Sequence, residues 1–279
     1  MSLVIFTATG CTRCKIVKHY MDQRQIKYVE RDMKAEGKEE FQNFYKMNRS
    51  AVFRGPEGIE FPIIVDGSNI RQSIGAAIAY LHAGEKLDGF FGVGTLHQEW
   101  VDGIHLSQGD PAYGDELIQV LQYLKSNQLK LQVDTDGRNS EILERVIDEG
   151  LANVLIMNVL GPLELYPQIL EQDVDGQDIR KSLGLLCRCQ EARLQTTIRA
   201  VKRKDGSLSY LTPAELAATA EFIQTTTGSN KWRYLIKHLP PGESADNVRQ
   251  GIKALQWSEL FPYRAKARDY QVYTEIERT

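Results

Sequence analysis

The feature that most constrains this chain lies at its start. An apolar run, Leu3-Val4-Ile5-Phe6-Thr7, breaks at Thr9-Gly10 and is followed at once by two cysteines three residues apart, Cys11 and Cys14. A continuous apolar run of this length reads as a strand buried on both faces. From Cys11 to about Met21 the residues Ile16, Val17, Tyr20 and Met21 recur at helical spacing, which predicts a helix with Cys11 at its N terminus. Unpaired backbone N–H groups and the positive end of the helix dipole favour a thiolate there, and Arg13 and Lys15 add cationic charge. Cys14, on the same face, is placed to resolve a mixed disulfide formed by Cys11. Four cysteines in 279 residues, close in sequence as Cys11 with Cys14 and Cys187 with Cys189, are too few for a secreted disulfide scaffold. The first pair is therefore expected to be reactive, in a cytoplasmic protein.

Downstream, Ile26 to Arg31 reads as a second strand and Lys38 to Asn48, with Phe41, Phe44 and Tyr45, as a second helix. Ile59 to Val65 is a strand interrupted by Pro62, Asp66-Gly67 signals a hairpin, Asn69 to Arg71 is a short strand, and Ser73 to Leu81 a closing helix. This order, over about residues 1 to 84, resembles the glutaredoxins and their thioredoxin-fold relatives. The resemblance implies a cis proline, here Pro62 after Phe61, facing the cysteine pair. It also implies Cys11 and Cys14 as the catalytic residues, with Thr12, Arg13, Phe61 and Pro62 binding substrate. Thr12-Arg13 stands where the family has an aromatic residue between its cysteines, and Arg71-Gln72-Ser73 replaces its glycine pair and following acidic residue. The implied activity is thiol–disulfide exchange on a protein or small-molecule disulfide. A thiol reductant or reductase, glutathione among the candidates, would restore the pair.

Between Ala83 and Leu96 four glycines occur without helical period, so residues 85 to 96 are expected to link two domains, 1–84 and 97–279. Beyond them strand and helix patterns alternate. The strands are Gly103 to Ser107, Leu129 to Val133, Val154 to Val159, Arg193 to Val201 and Trp232 to His238; the helices between them include Asp115 to Lys125, Ser140 to Asp148 and Pro213 to Thr225. Such alternation predicts a parallel sheet, which binds ligands at the carboxyl ends of its strands.

The residues at those ends resemble the radical SAM activating enzymes, in particular the activating proteins of anaerobic ribonucleotide reductase. Gln108-Gly109-Asp110-Pro111 stands where that family has Gly-Gly-Glu-Pro, and Thr135-Asp136-Gly137 where it has Thr-Asn-Gly. Asn158-Val159-Leu160, with Pro162-Leu163 and Tyr166, corresponds to its Asp-x-Lys segment, and Gln195-Thr196-Thr197 to its Arg-Thr-Thr. The family's Cys-x-x-x-Cys-x-x-Cys loop for an iron–sulfur cluster is missing, because no cysteine lies between Cys14 and Cys187. The expected fold is therefore α/β, a thioredoxin-fold domain followed by a partial (β/α) barrel of radical SAM type. A vestigial pocket is expected at Gln108, Gly109, Asp110, Thr135, Asp136, Asn158, Thr197 and His238. Neither SAM, an iron–sulfur cluster nor any other metal is expected to take part.

A net charge of -3 offers no basic surface for nucleic acid, and no window approaches the ~20 apolar residues of a membrane span. The five histidines lack the spacing of zinc ligands, and Cys187 and Cys189 read as small buried apolar residues. Two other accounts compete with thiol–disulfide exchange. One is a radical-SAM-type activase or iron–sulfur protein that uses Cys11, Cys14, Cys187 and Cys189. The other is a non-catalytic regulatory protein that docks on an anaerobic reductase.

Overall fold

The computed structural model describes residues 3–56, 58–238, 252–253 and 255–277. The chain is mixed α/β and forms two compact units, 1–133 with 149–153, and 134–148 with 154–279.

In the first unit β1 (Leu3–Thr7) turns into α1 (Thr12–Gln23), followed by β2 (Tyr28–Asp32) and α2 (Lys38–Met47). A two-stranded ribbon, β3 (Arg54–Gly55) with β4 (Gly58–Ile59), precedes the hairpin of β5 (Ile63–Asp66) and β6 (Asn69–Gln72), and α3 (Ile74–Ala83) follows. The sheet order is β2-β1-β5-β6, with β1 parallel to β2 and antiparallel to β5. β1 is interior, which is why its apolar run needs no polar alternation; Ile5 and Phe6 are buried. On α1 the buried residues Val17, Tyr20 and Met21 fall at helical spacing, each burial stabilising by roughly 1.5–3 kcal/mol. Phe6 meets the rings of Phe41 and Phe44 at 5.3 and 4.8 Å, and Phe41 meets Phe61 at 5.2 Å. These contacts seat α2 over the residue that precedes Pro62.

The glycine-rich stretch expected to be a linker is packed within this unit. Leu87 and Phe90 are buried, Gly92 N–H donates to the Gly103 carbonyl at 2.7 Å and His105 N–H to the Phe90 carbonyl at 2.8 Å. At Gly89, where φ is +90°, a Cβ would lie 2.4 Å from the Gln108 carbonyl oxygen; at Gly109 it would lie 2.2 Å from the Phe90 ring. Glycine is required for this close approach rather than for freedom of movement. The two compact units divide after Val133. β7 (Trp100–His105), α4 (Gly114–Ser126) and β8 (Lys130–Thr135) complete the stretch.

β7 and β8 belong to a six-stranded parallel sheet of order β14-β13-β10-β9-β8-β7, formed with β9 (Val154–Asn158), β10 (Ala192–Ile198), β13 (Tyr234–His238) and β14 (Thr274–Ile276). In the second unit these strands alternate with α5 (Ser140–Asp148), α6 (Tyr166–Leu170), α7 (Gly176–Leu185), α8 (Pro213–Thr227) and α9 (Phe261–Ala267), and β11 (Ala200–Lys202) pairs with β12 (Leu208–Tyr210). Along β10, Leu194, Thr196 and Ile198 are buried while Gln195 and Thr197 are half-buried, so the strand has one packed and one polar face. α8 starts at a reciprocal cap: Thr212 Oγ1 accepts from Glu215 N–H, Glu215 accepts from Thr212 N–H, and Pro213 opens the first turn. Among the described residues no helix is long and apolar enough to cross a membrane.

Candidate functional site

Two places carry the residues singled out by the sequence, one in each unit. In the first, Cys11 caps α1, with Cys14 N–H 3.1 Å from its sulfur, and the two cysteines form a disulfide. Cys11 is half-buried, Cys14 buried and Thr12 exposed. The turn before Cys11 is tied to β2, since Thr9 Oγ1 donates to Asp32 at 2.7 Å. Hydrogen bonds from Lys34 N–H and from Thr9 hold the Asp32 carboxyl below the usual carboxylate range. The Phe61–Pro62 peptide is cis and Pro62 is buried. Cys11, Arg13 and Phe61 border a cavity of about 320 Å³, a volume in the range of small-ligand sites. Phe53, Pro56 and Ile59 form its apolar wall, and Gly94 to Gln98 supply further lining.

Arg13, expected to bind substrate, borders this cavity and is held by neighbouring groups. Its guanidinium pairs with Glu60 and donates to the carbonyls of Leu96 and Trp100, and both ionic side chains are only 12% exposed. Burial pushes the Glu60 carboxyl up, with Arg13 pulling against it. Removing either partner of such a pair costs about 3–5 kcal/mol, because the other charge is left buried alone. Sequence reasoning missed Glu60. Its signal is a single carboxylate inside the apolar run Ile59 to Val65, a position that needs a cation nearby.

The strand-end residues divide between the units. In the first, Gln108 is exposed, Gly109 lies under Phe90, and Asp110 caps the turn at Pro111–Tyr113 by accepting Ala112 N–H at 2.9 Å. These are packing and capping roles. In the second unit, Thr135 Oγ1 accepts Gly137 N–H at 2.9 Å and Asp136 pairs with Arg138 at 2.7 Å. Gln195 donates its amide to Asn158 across the β9–β10 register, and Thr197 lies in register with Lys237. Thr196 is buried, bonded to the Val159 carbonyl and to the Tyr234 hydroxyl at 2.6 Å. Tyr166 Oη accepts Leu160 N–H at 3.2 Å, and burial raises its phenol far above the ordinary range. Arg199, just past β10, was not anticipated; burial lowers its pKa and the charge of Asp136 opposes the shift. His238 ends β13 with Nδ1 buried and without a hydrogen-bond partner among the described residues. Asn158, Gln195 and Thr197 thus form a polar patch on one sheet face, capable of hydrogen-bonding a polar ligand.

No family model matches the chain. Over 94 residues it is 26% identical to a putative glycyl-radical enzyme activating enzyme of Methanocaldococcus jannaschii; the match covers 33% of this chain and 39% of that relative. Among solved structures, a domain of pyruvate-formate lyase-activating enzyme from Bacteroides vulgatus is 13% identical, with a TM-score of 0.44 over 64% of this chain and all of the other. TYW1 with a lysine-pyruvate adduct bound is 15% identical, with a TM-score of 0.47 over 74% of this chain and 63% of the other.

The match to an activating enzyme overturns the expectation of a glutaredoxin-like thiol–disulfide oxidoreductase. The cysteine motif misled because a cysteine capping a helix after a buried strand favours a thiolate whatever the surrounding protein does. The same match overturns the expectation that SAM and an iron–sulfur cluster have no part, since both are what the resemblance to radical SAM activating enzymes implies. The side chains themselves do not fit a cluster. Cys11 and Cys14 are joined, Cys187 is exposed, and among the described residues no three His, Cys, Asp or Glu side chains gather as metal ligands would.

Proposed function

We propose that this chain is an activating-enzyme-type protein of the radical SAM class that acts on a partner protein, a glycyl-radical enzyme being the partner class named by its relative. The observation that carries this reading is the 94-residue match to a putative glycyl-radical enzyme activating enzyme. The order of the motifs that contain Asp136, Asn158 and Thr197 supports it. SAM, when bound, supplies a sulfonium that is a source of alkyl or radical chemistry. This chain's share is to hold its polar groups, and the Asn158–Gln195 pair with Thr197 is the hydrogen-bonding patch in the second unit assigned to that task. No radical step is assigned to the chain's own cysteines, because they do not make a cluster's ligand set. For the first 84 residues, the sheet order β2-β1-β5-β6, the capping Cys11 and the cis Pro62 support a thioredoxin-type layer joined to this scaffold.

Calorimetric titration of the full chain with SAM tests the proposal. Saturable binding is expected, weakened at least about tenfold by Asn158→Ala, since one well-placed polar contact contributes on the order of 1.4 kcal/mol. Failure to bind SAM under both aerobic and anaerobic conditions would sink the reading, and so would binding indifferent to Asn158→Ala and to Thr197→Ala alike.

A further inference from the structure

Arg13 lies between the two cysteines in sequence, inside the four-residue ring that the Cys11–Cys14 disulfide closes. Its guanidinium reaches out of that ring to Glu60 and to the carbonyls of Leu96 and Trp100. Gly94 to Gln98, the segment it holds, lines the cavity that Cys11, Arg13 and Glu60 also border. Opposite this hold, Asp102 accepts from Thr95 N–H at 2.9 Å and from Leu96 N–H at 3.1 Å, so the segment is fastened at two points. One of them rides on the disulfide ring.

We propose that Arg13 couples the redox state of Cys11 and Cys14 to the cavity wall at residues 94 to 98, which is held in the disulfide form and released in the dithiol form. This is regulation of a binding surface, not turnover of a disulfide substrate, and it does not depend on SAM binding. A dithiol reductant supplies the two electrons. Its thiolate attacks one sulfur of the pair, the Cys11–Cys14 S–S bond breaks, a second attack within the reductant closes the reductant's own disulfide, and two cysteine thiols remain. Two physical changes then act on Arg13. The ring that fixed residues 12 and 13 opens at the first turn of α1, where backbone N–H groups lack helical partners. Ionisation of Cys11 at that helix end then adds an anion bordering the same cavity, which competes with Glu60 and the two carbonyls for the guanidinium.

Amide hydrogen exchange read by mass spectrometry on the full chain tests the coupling, with and without dithiothreitol. Exchange across 94–102 is expected to rise at least about threefold on reduction, with 154–158 unchanged. In Arg13→Ala the same peptides should exchange faster already in the disulfide form, with no further rise on reduction. Glu60→Gln, which keeps a hydrogen-bonding side chain, should narrow the redox difference without abolishing it, and serves if Arg13→Ala does not fold. Equal exchange of wild type in the two states overturns the proposal. So does a redox difference that survives Arg13→Ala or Glu60→Gln undiminished, or a rise spread evenly over the chain.

Discussion

The two cysteine pairs sit at opposite ends of helices, and the contrast shows how little the residue type alone decides. Cys11 caps the N terminus of α1 and is joined to the buried Cys14. Cys187 and Cys189 follow the C terminus of α7, Cys187 within the single turn Leu186–Arg188 and Cys189 just past it, and both are free. A helix N terminus favours an anion, so the first place suits a thiolate once the pair is reduced, whereas the second pair has no such setting. Burial pushes the Cys189 thiol up, against the weaker pull of Arg188. Cys187 is exposed, its sulfur 3.8 Å from the Thr227 carbonyl, which departs from the expectation that both of these cysteines are buried core residues.

The largest effect expected from this contrast is in reactivity. After reduction, Cys11 should be alkylated by iodoacetamide at pH 7 at least about tenfold faster than Cys189, as followed by peptide mass spectrometry. The Cys189 rate should keep climbing as pH passes the ordinary thiol value of 9.0, because burial raises its pKa above that value. Equal rates for the two would break the helix-end argument.

A smaller effect is expected in stability. Replacing Cys11 and Cys14 together by serine removes the covalent ring. For so short a loop the cost should be about 2 kcal/mol by urea denaturation without reductant. Cys187→Ser changes an exposed side chain and should move stability by no more than about 0.5 kcal/mol. A loss at Cys187 as large as at the first pair would show that the exposed thiol carries structure.

Much of the first unit was legible because its signals are local. The apolar run of β1, the spacing of Val17, Tyr20 and Met21, and a proline within an apolar strand each follow from a few neighbouring residues. The alternation beyond residue 97 was legible for the same reason, and the parallel sheet it implied is present. What sequence hid is tertiary. Glycines at 89, 92 and 94 read as a linker, whereas Gly89 and Gly109 are small because Gln108 and Phe90 press on them. The partners of Arg13 were hidden as well, because nothing local shows that Glu60 and two carbonyls far along the chain would hold it. The function was misread at the same point, since a thiolate-stabilising turn says what a sulfur can do and not what the whole chain is for.

The smallest effect is in pH dependence, and it sharpens the contrast by its sign. Near the first pair, Glu60 has its carboxyl raised by burial, so the folded state holds that proton more tightly than the unfolded chain does. Its stability contribution is complete below the ordinary carboxylate value of 4.5 and is lost as pH rises through the raised value. Near the second pair, Glu144 accepts hydrogen bonds from Lys181 and Arg188 and has its carboxyl lowered, so its contribution is present above 4.5 and is lost as pH falls. Urea midpoints measured against pH should therefore change in opposite senses when each residue is replaced by glutamine. Glu60→Gln should remove a decline on the neutral side of 4.5, and Glu144→Gln a shallower decline on the acid side, shallower because Glu144 is solvent-screened. Declines of the same sign at both sites would mean that the Arg13 pairing outweighs burial at Glu60, leaving the two neighbourhoods electrostatically alike.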